Sequence, residues 1–334
     1  MIRWGLIGTG AICKQFARAF AGAEAWEAPA QAHLAAVASR TEEGAARFAA
    51  EFGVPKAKAY GSYEALLADP EIDAVYVGTP HPAHCGNVLA ALRAGKPVLC
   101  EKPLAMNARE AGAMVAEARA RNLFLMEAMW TRWLPVTLRV REWIASGAIG
   151  EVRMLKADFG GRMEWKPKER LLNKALGGGA LLDVGIYPVS YAAMLFGTAP
   201  LSVHSAAHIG ETGVDEQASV LLHYPGGAQA VLTCALRTPL GARAEIFGTA
   251  GRIVIPDFYG ATEATLYPSG QEPTRIEAPH PVNGFAYELR EATRCLASGL
   301  KESPGLPLDE SLAILRLMDT IRKDWDLRYE ADLG

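Results

Sequence analysis

The sequence predicts an α/β protein in which an N-terminal doubly wound parallel sheet, the Rossmann arrangement, is followed by an α+β domain with a large, mainly antiparallel sheet. Three observations carry this. A short apolar run breaks at a glycine-rich turn near the N-terminus. Buried-strand and amphipathic-helix patterns then alternate as far as residue 126. Beyond residue 150 they give way to runs of period two separated by turn residues.

The first strand, Ile2 to Ile7, leads into Gly8-Thr9-Gly10-Ala11-Ile12-Cys13, and the pattern from Lys14 is helical. Gly8 permits the turn and Gly10 lets backbone approach a pyrophosphate. The helix start at Ala11 and Ile12 turns unpaired N–H groups and a partial positive charge toward it. Cys13 stands where G-x-G-x-x-G has its third glycine, and it is small enough for close helix-on-strand packing. The plainer alternative is a strand-to-helix turn without a ligand. Leu34 to Ala38 is the second strand, after which Thr41 caps a helix with Ala45, Phe48, Ala49 and Phe52 on one face and Gly53 at its end. Between them lie Ser39-Arg40-Thr41, with no carboxylate before Glu42. A carboxylate there would bind the ribose 2′-hydroxyl of NAD and repel a 2′-phosphate, whereas a guanidinium and two hydroxyls suit the phosphate. This favours NADP over NAD, the alternative being that Arg40 is a solvated surface residue and Thr41 only a cap.

Ser62 starts a short helix, Asp73 to Gly78 is a strand, Ala83 to Ala94 is a helix closed by Gly95, and Pro97 to Cys100 is a strand. Asn107 with Glu110 opens the next helix as a capping box, with Ala111, Met114, Val115 and Ala118 on its apolar side, and Leu123 to Met126 is the last strand. In such a sheet the ligand crevice lies at the carboxyl ends of the strands. We therefore expect a dinucleotide-binding domain over 1–126 and a substrate-binding and dimerisation domain over 127–334. The second contains a helix at Pro135 to Ser146 and strands at Glu151–Phe159, Leu201–Ile209, Gln217–Tyr224, Gln229–Arg237 and Arg243–Phe247. Pro225-Gly226-Gly227 and Gly248-Thr249-Ala250-Gly251 separate strands as hairpin turns. A helix from Leu181 to Phe196 is entered through Gly177-Gly178-Gly179, and helices near 287–297 and 309–324 follow. If the sheet face left open by these helices is apolar, it is a natural homodimer surface.

With 334 residues, 50% of them hydrophobic and 21% charged, the chain has the balance of a soluble globular protein large enough for two cores. A net charge of −3 gives no sign of attraction to nucleic acid or membrane. No run is expected to reach the roughly 18 apolar residues that span a bilayer, and no signal peptide precedes the first strand, so the expected location is cytoplasmic. The five scattered cysteines form no C-x-x-C pair, and no His/Glu spacing indicates a metal.

Three segments now combine: Gly8-Thr9-Gly10; Gly95-Lys96-Pro97-Val98-Leu99-Cys100-Glu101-Lys102-Pro103; and Gly177-Gly178-Gly179-Ala180-Leu181-Leu182-Asp183-Val184-Gly185-Ile186-Tyr187. Over nearly the whole chain they resemble the glucose–fructose oxidoreductase, inositol dehydrogenase and rhizopine-catabolism (Gfo/Idh/MocA) family of NAD(P)-dependent oxidoreductases. Met126-Glu127-Ala128-Met129-Trp130-Thr131-Arg132-Trp133-Leu134-Pro135, Ala157-Asp158-Phe159-Gly160, and a tyrosine where many members have histidine look like its trans-1,2-dihydrobenzene-1,2-diol dehydrogenase and NADP-dependent D-xylose 1-dehydrogenase branch.

The resemblance implies hydride transfer between NADP and a hydroxyl-bearing carbon of a sugar or cyclic trans-diol. Lys102 and Tyr187 would be the catalytic pair and Asp183 a third member that orients Lys102 or a sugar hydroxyl. It also implies that Thr79-Pro80-His81 and His84 border the nicotinamide, that Glu101 and Lys102 lie at the cofactor, and that the Lys102–Pro103 bond is cis. Trp130 and Phe159 match aromatic positions of the branch, with Phe285, Arg162 and Trp165 as further substrate candidates. Plainer roles stand beside these: the aromatics as core, His81 and His84 as loop caps, Asp183 as a helix cap. Two other functions known among similar proteins are glycoside cleavage through transient oxidation, which goes with the histidine pattern, and non-catalytic dinucleotide sensing, against which Lys102 and Tyr187 argue.

Overall fold

A computed structural model describes residues 1–333, and the chain divides into two units. The first comprises Met1–Trp130 with Pro281–Leu312. Its strands are β1 (Ile2–Ile7), β2 (Ala32–Ala38), β3 (Ala59–Tyr60), β4 (Ala74–Val77), β5 (Val98–Glu101) and β6 (Leu125–Ala128), all parallel in the order β3-β2-β1-β4-β5-β6. Between them run α1 (Ala11–Arg18), α2 (Glu42–Phe52), α3 (Tyr63–Leu67), α4 (His84–Arg93) and α5 (Ala108–Ala120). The expected caps form. Thr41 Oγ1 accepts from Gly44 N at 3.1 Å, Ser62 Oγ from Ala65 N at 3.2 Å and Asn107 Oδ1 from Glu110 N at 2.9 Å. The strand order reverses between β1 and β4, so the loops that follow these two strands open on the same crevice.

The second unit comprises Thr131–His280 and the chain from Ala313 onward. It contains α6 (Pro135–Ala145), β7 (Val152–Gly160), α7 (Ile186–Phe196), β8 (Ser202–Ile209), β9 (Asp215–His223), β10 (Gln229–Ala235), β11 (Ala244–Gly248), β12 (Gly251–Ile255), β13 (Glu263–Pro268) and β14 (Thr274–Glu277). The strands form one eight-stranded sheet in the order β14-β13-β12-β11-β7-β10-β9-β8. Both anticipated hairpins, β9–β10 and β11–β12, are present. The pairing is antiparallel except for β7 with β10, which run parallel from Met154 opposite Gln229 to Gly160 opposite Ala235. The chain leaves β7 through α7 and the β8–β9 pair before it returns, a crossover long enough for parallel neighbours.

The segment expected as one helix over Leu181–Phe196 begins as a π-helical turn, Leu181–Gly185, and only then becomes α7. Such local expansions are frequent at functional sites. The run Lys174–Phe196, whose most apolar 18-residue stretch has a mean hydropathy of 1.4, is long and apolar enough to cross a membrane, contrary to the expectation that no run would be. It is nevertheless 83% buried inside the protein over its most apolar stretch, and a segment this apolar suits a core position.

The last two helices are α8 (Phe285–Ala297) and α9 (Leu308–Lys323). Pro281–Leu312 packs with the first unit, so a single cut between residues 126 and 127 does not describe the division. The reason is local: α8 buries Phe285, Leu289 and Ala292. Its Thr293 Oγ1 accepts from Trp4 Nε1 at 3.2 Å, and Asn283 Nδ2 donates to Gln15 O at 2.9 Å.

Candidate active site

Gly8 ends β1 with φ +116°, a conformation that L side chains avoid, and a Cβ there would lie 2.9 Å from Gly78 O at the end of β4. A Cβ on Gly10 would meet nothing within 4 Å, and the first turn of α1 carries no side-chain cap. The turn thus offers open backbone and uncapped helix N–H groups at Ala11 and Ile12, the features a pyrophosphate needs. Cys13 does the packing expected of the missing glycine: it is fully buried, and its Sγ donates to Gly78 O at 3.3 Å. Burial pushes its thiol pKa up to about 12, so it is inert. Thr9 Oγ1 and Ser39 Oγ lie 3.5 Å apart, Thr41 spends its oxygen as a cap acceptor while its O–H stays available to a ligand, and Arg40 is exposed. These groups fit the ribose end of a dinucleotide.

A chain of contacts ties this turn to the end of β5. Phe16 of α1 stacks on Tyr76 of β4 at 3.7 Å and 5°, Tyr76 OH donates to Glu101 Oε1 at 2.7 Å, and Glu101 Oε2 accepts from Lys102 N at 3.1 Å. The Lys102–Pro103 bond is cis. Beyond it, Pro103 O lies 2.9 Å from His84 Nδ1, and Leu104 N donates to the buried Glu127 Oε1 at 3.0 Å. His84 Nε2 faces Thr79 O at 2.8 Å, so one buried imidazole joins the loop after β4 to the loop after β5. His81 packs edge-on against it at 5.7 Å, Pro80 precedes His81, and Thr79 Oγ1 accepts from Asn87 Nδ2 at 3.0 Å. Glu288 of α8 is fully buried with no hydrogen bond to either carboxyl oxygen. Burial, reinforced by the charge of Glu101, pushes its pKa well above the usual carboxylate range.

Within the second unit, Tyr187 is 4% exposed and packed in an aromatic cluster. Phe159 meets it edge-on at 5.4 Å and Tyr259 at 4.9 Å, while Phe159 and Tyr259 stack at 4.6 Å. Asp183 lies in the π turn just ahead, and its Oδ1 accepts from Arg170 Nη1 at 2.8 Å. Gly179 explains the glycine run before it: φ is +126°, and a Cβ would sit 2.3 Å from Asp215 Oδ1. Among the described residues, no group of three His, Cys, Asp or Glu side chains could hold a metal.

Two family models match the chain. Residues 2–129 match one described as an oxidoreductase family with an NAD-binding Rossmann fold, and residues 137–254 match the GFO/IDH/MocA C-terminal domain. The chain belongs to the Gfo/Idh/MocA oxidoreductase family. It is therefore an NAD(P)-dependent dehydrogenase or reductase acting on CH–OH groups. Among its relatives, the trans-1,2-dihydrobenzene-1,2-diol dehydrogenase of Xenopus laevis is 41% identical over 98% of this chain and 99% of its own. That of Homo sapiens is 38% identical over 99% of each. Among solved structures, a 3-ketoreductase from Actinomadura kijaniata in complex with NADP and TDP-benzene is similar with a TM-score of 0.82 and 30% identity, over 96% of this chain and 97% of that one. An aldose–aldose oxidoreductase from Caulobacter crescentus, complexed with glycerol, gives 0.86 and 28% over 96% of each.

In this Gfo/Idh/MocA protein, the first unit assembles Gly8 to Ile12, Ser39 to Thr41, Thr79 to His81, His84, Glu101 and Lys102 at the carboxyl edge of one sheet. It also stacks Trp130 on Phe285 at 4.7 Å and 12°, both buried. The second unit assembles Phe159, Asp183 and Tyr187. Arg162 and Trp165 are both exposed, and Trp165 lies under the Arg237 guanidinium at 5.3 Å. The sequence reading passed over Glu127, Arg170, Asp215 and Tyr259. Only Tyr259 left a signal, an aromatic pair in Asp257-Phe258-Tyr259-Gly260.

Proposed function

We propose that this protein is an NADP-dependent dehydrogenase that oxidises one carbinol carbon of a sugar, an aldose such as D-xylose, or of a cyclic trans-diol, or reduces the matching carbonyl. The observation that carries the reading is Tyr187, a buried phenol walled by Phe159 and Tyr259 on a helix whose first turn holds Asp183. The relatives named as dihydrodiol dehydrogenases support the diol, and the aldose–aldose oxidoreductase supports the sugar.

When bound, NADP supplies the hydride acceptor. The open backbone of Gly8 to Ile12 would take its pyrophosphate and Ser39, Arg40 and Thr41 its 2′-phosphate, with Thr79 to His81, His84 and Glu101 shaping the nicotinamide end. Tyr187 takes the hydroxyl proton. An unassisted tyrosine, with a pKa near ~10, is a poor base, so a cation is needed to stabilise its phenolate, and Lys102 has that role. Asp183, steadied by Arg170, accepts from a substrate hydroxyl, while the faces of Phe159 and Trp130 suit the apolar side of a ring. All five cysteines are free thiols, which suits the cytoplasm. Self-association is assigned to the outward sheet face, where the half-exposed Leu221 and Val231 stand opposite each other.

A screen of aldoses and trans-diols with NADP and NAD, ranked by kcat/KM from nicotinamide absorbance, tests the reading. Turnover confined to NAD, or none with either substrate class, would overturn it. Arg40→Ala is expected to raise the KM for NADP about 10–100-fold, the loss of charge-assisted hydrogen bonds, with little effect on NAD. Equal effects on both cofactors would remove the phosphate assignment. Arg170→Ala is expected to lower kcat/KM about 3–10-fold, chiefly through KM of the sugar or diol, because a half-exposed ion pair is worth only about 1 kcal/mol. Unchanged kinetics would release Asp183 from a role in binding.

A further inference from the structure

Asp215, the first residue of β9, is fully buried, although nothing in the proposed chemistry uses it. Its Oδ2 accepts from Leu181 N at 2.6 Å, in the first turn of the segment that carries Asp183 and Tyr187. Its Oδ1 has no hydrogen-bond partner and lies against Gly179, where only a glycine leaves room for it. The same helix entrance is held from the C-terminal segment, where Tyr329 OH donates to Gly178 O at 2.6 Å. An anionic acceptor at a helix N-terminus pairs a free N–H group and the positive end of the helix dipole.

We propose that Asp215 is a positioning residue: it fixes the helix entrance from which Asp183 and Tyr187 project, and does so most strongly as a carboxylate. The proposal rests on the assignment of Tyr187 as acid–base residue. The groups facing Asp215 are few. Arg322 favours its charged form while itself engaged with Asp319 and Asp332, and Tyr329 and Cys234 are neutral neighbours whose own ionisation the charge of Asp215 opposes. Burial outweighs the favourable contacts and raises the pKa of Asp215 to about 7. Because this lies above the unfolded value of roughly 3.9, the stability contributed by the bound proton is complete below that value and is lost as pH rises through about 7. The lost stability goes into charging the cap.

The experiment compares wild type with Asp215→Asn, which keeps the shape and one acceptor oxygen but cannot ionise. Amide exchange of Leu181–Tyr187, melting temperature, and kcat with trans-1,2-dihydrobenzene-1,2-diol and NADP are followed from about pH 6 to about pH 8. In wild type, the protection of the segment, measured as its exchange relative to that of the unstructured peptide at the same pH, increases and kcat rises through this range. In Asp215→Asn both are expected to be nearly flat, with kcat at the upper end about 3–10-fold lower, a cap's worth of helix order, and the NADP Kd unchanged. The melting temperature of the variant gains on wild type as pH rises. Identical exchange and identical pH profiles in the two proteins would overturn the proposal, as would loosening of the segment with kcat unchanged. Tyr187→Phe is measured in parallel. Normal turnover in that variant would instead overturn the acid–base assignment, and the exchange data would still decide whether Asp215 holds the segment.

Discussion

Tyr187→Phe is expected to lower kcat about 10²–10⁴-fold, the usual contribution of a positioned acid–base group, while NADP binds with unchanged affinity. The substitution removes one oxygen from a residue whose ring is locked by Phe159 and Tyr259, so the ring should keep its place and the loss should report chemistry rather than unfolding. The melting temperature is expected to stay close to that of wild type. KM for the sugar or diol should change little if the phenol acts mainly in the transition state. The measurement is steady-state turnover of a trans-diol or an aldose with NADP, beside a fluorescence titration of NADP. Near-normal turnover would remove Tyr187 from the mechanism. A proportionate rise in KM alone would make it a binding residue.

The fold was largely legible because its signals are local. Thr41, Ser62 and Asn107 announce helix starts through their own cap bonds, and the apolar faces of α2 and α5 bury the residues that the 3.6-residue period picks out, save Phe52 at the end of α2, which is only partly covered. The dinucleotide turn was legible for the same reason, since Gly8 and Gly10 state a backbone requirement. What escaped depends on distant partners. The parallel pairing of β7 with β10 is decided by the crossover, and the return of α8 to the first unit by its contacts with β1. β13 and β14 lie beyond the last hairpin turn that the sequence announces and are not picked out by it. The π turn at Leu181–Gly185 is invisible in hydropathy, because one inserted residue barely alters the pattern of a segment that is buried on nearly every side. Glu127 and Asp215 fall just outside the strands that the sequence predicts, and only the folded chain shows that each accepts a backbone N–H of a loop or helix bearing a candidate catalytic group.

Lys102→Ala should cost nearly as much as loss of the phenol, about 10²–10³-fold in kcat/KM for oxidation, if the ammonium serves to make a tyrosine basic. The loop itself should survive, because Glu101, His84 and Glu127 hold the backbone of Lys102, Pro103 and Leu104 without help from the lysine side chain. NADP affinity is therefore expected to fall by less than about tenfold, one charge-assisted contact. Two further readouts separate this role from simple charge attraction. Activity of the variant should rise toward alkaline pH, where ionisation of a phenol depends less on a neighbouring cation. Combining Lys102→Ala with Tyr187→Phe should be hardly worse than Tyr187→Phe alone, since a cation that only stabilises phenolate has nothing to act on once the phenol is gone. Fully additive losses in the double variant would mean that the two residues work independently, and a Lys102→Ala enzyme with normal turnover at neutral pH would leave the tyrosine in need of another source of basicity.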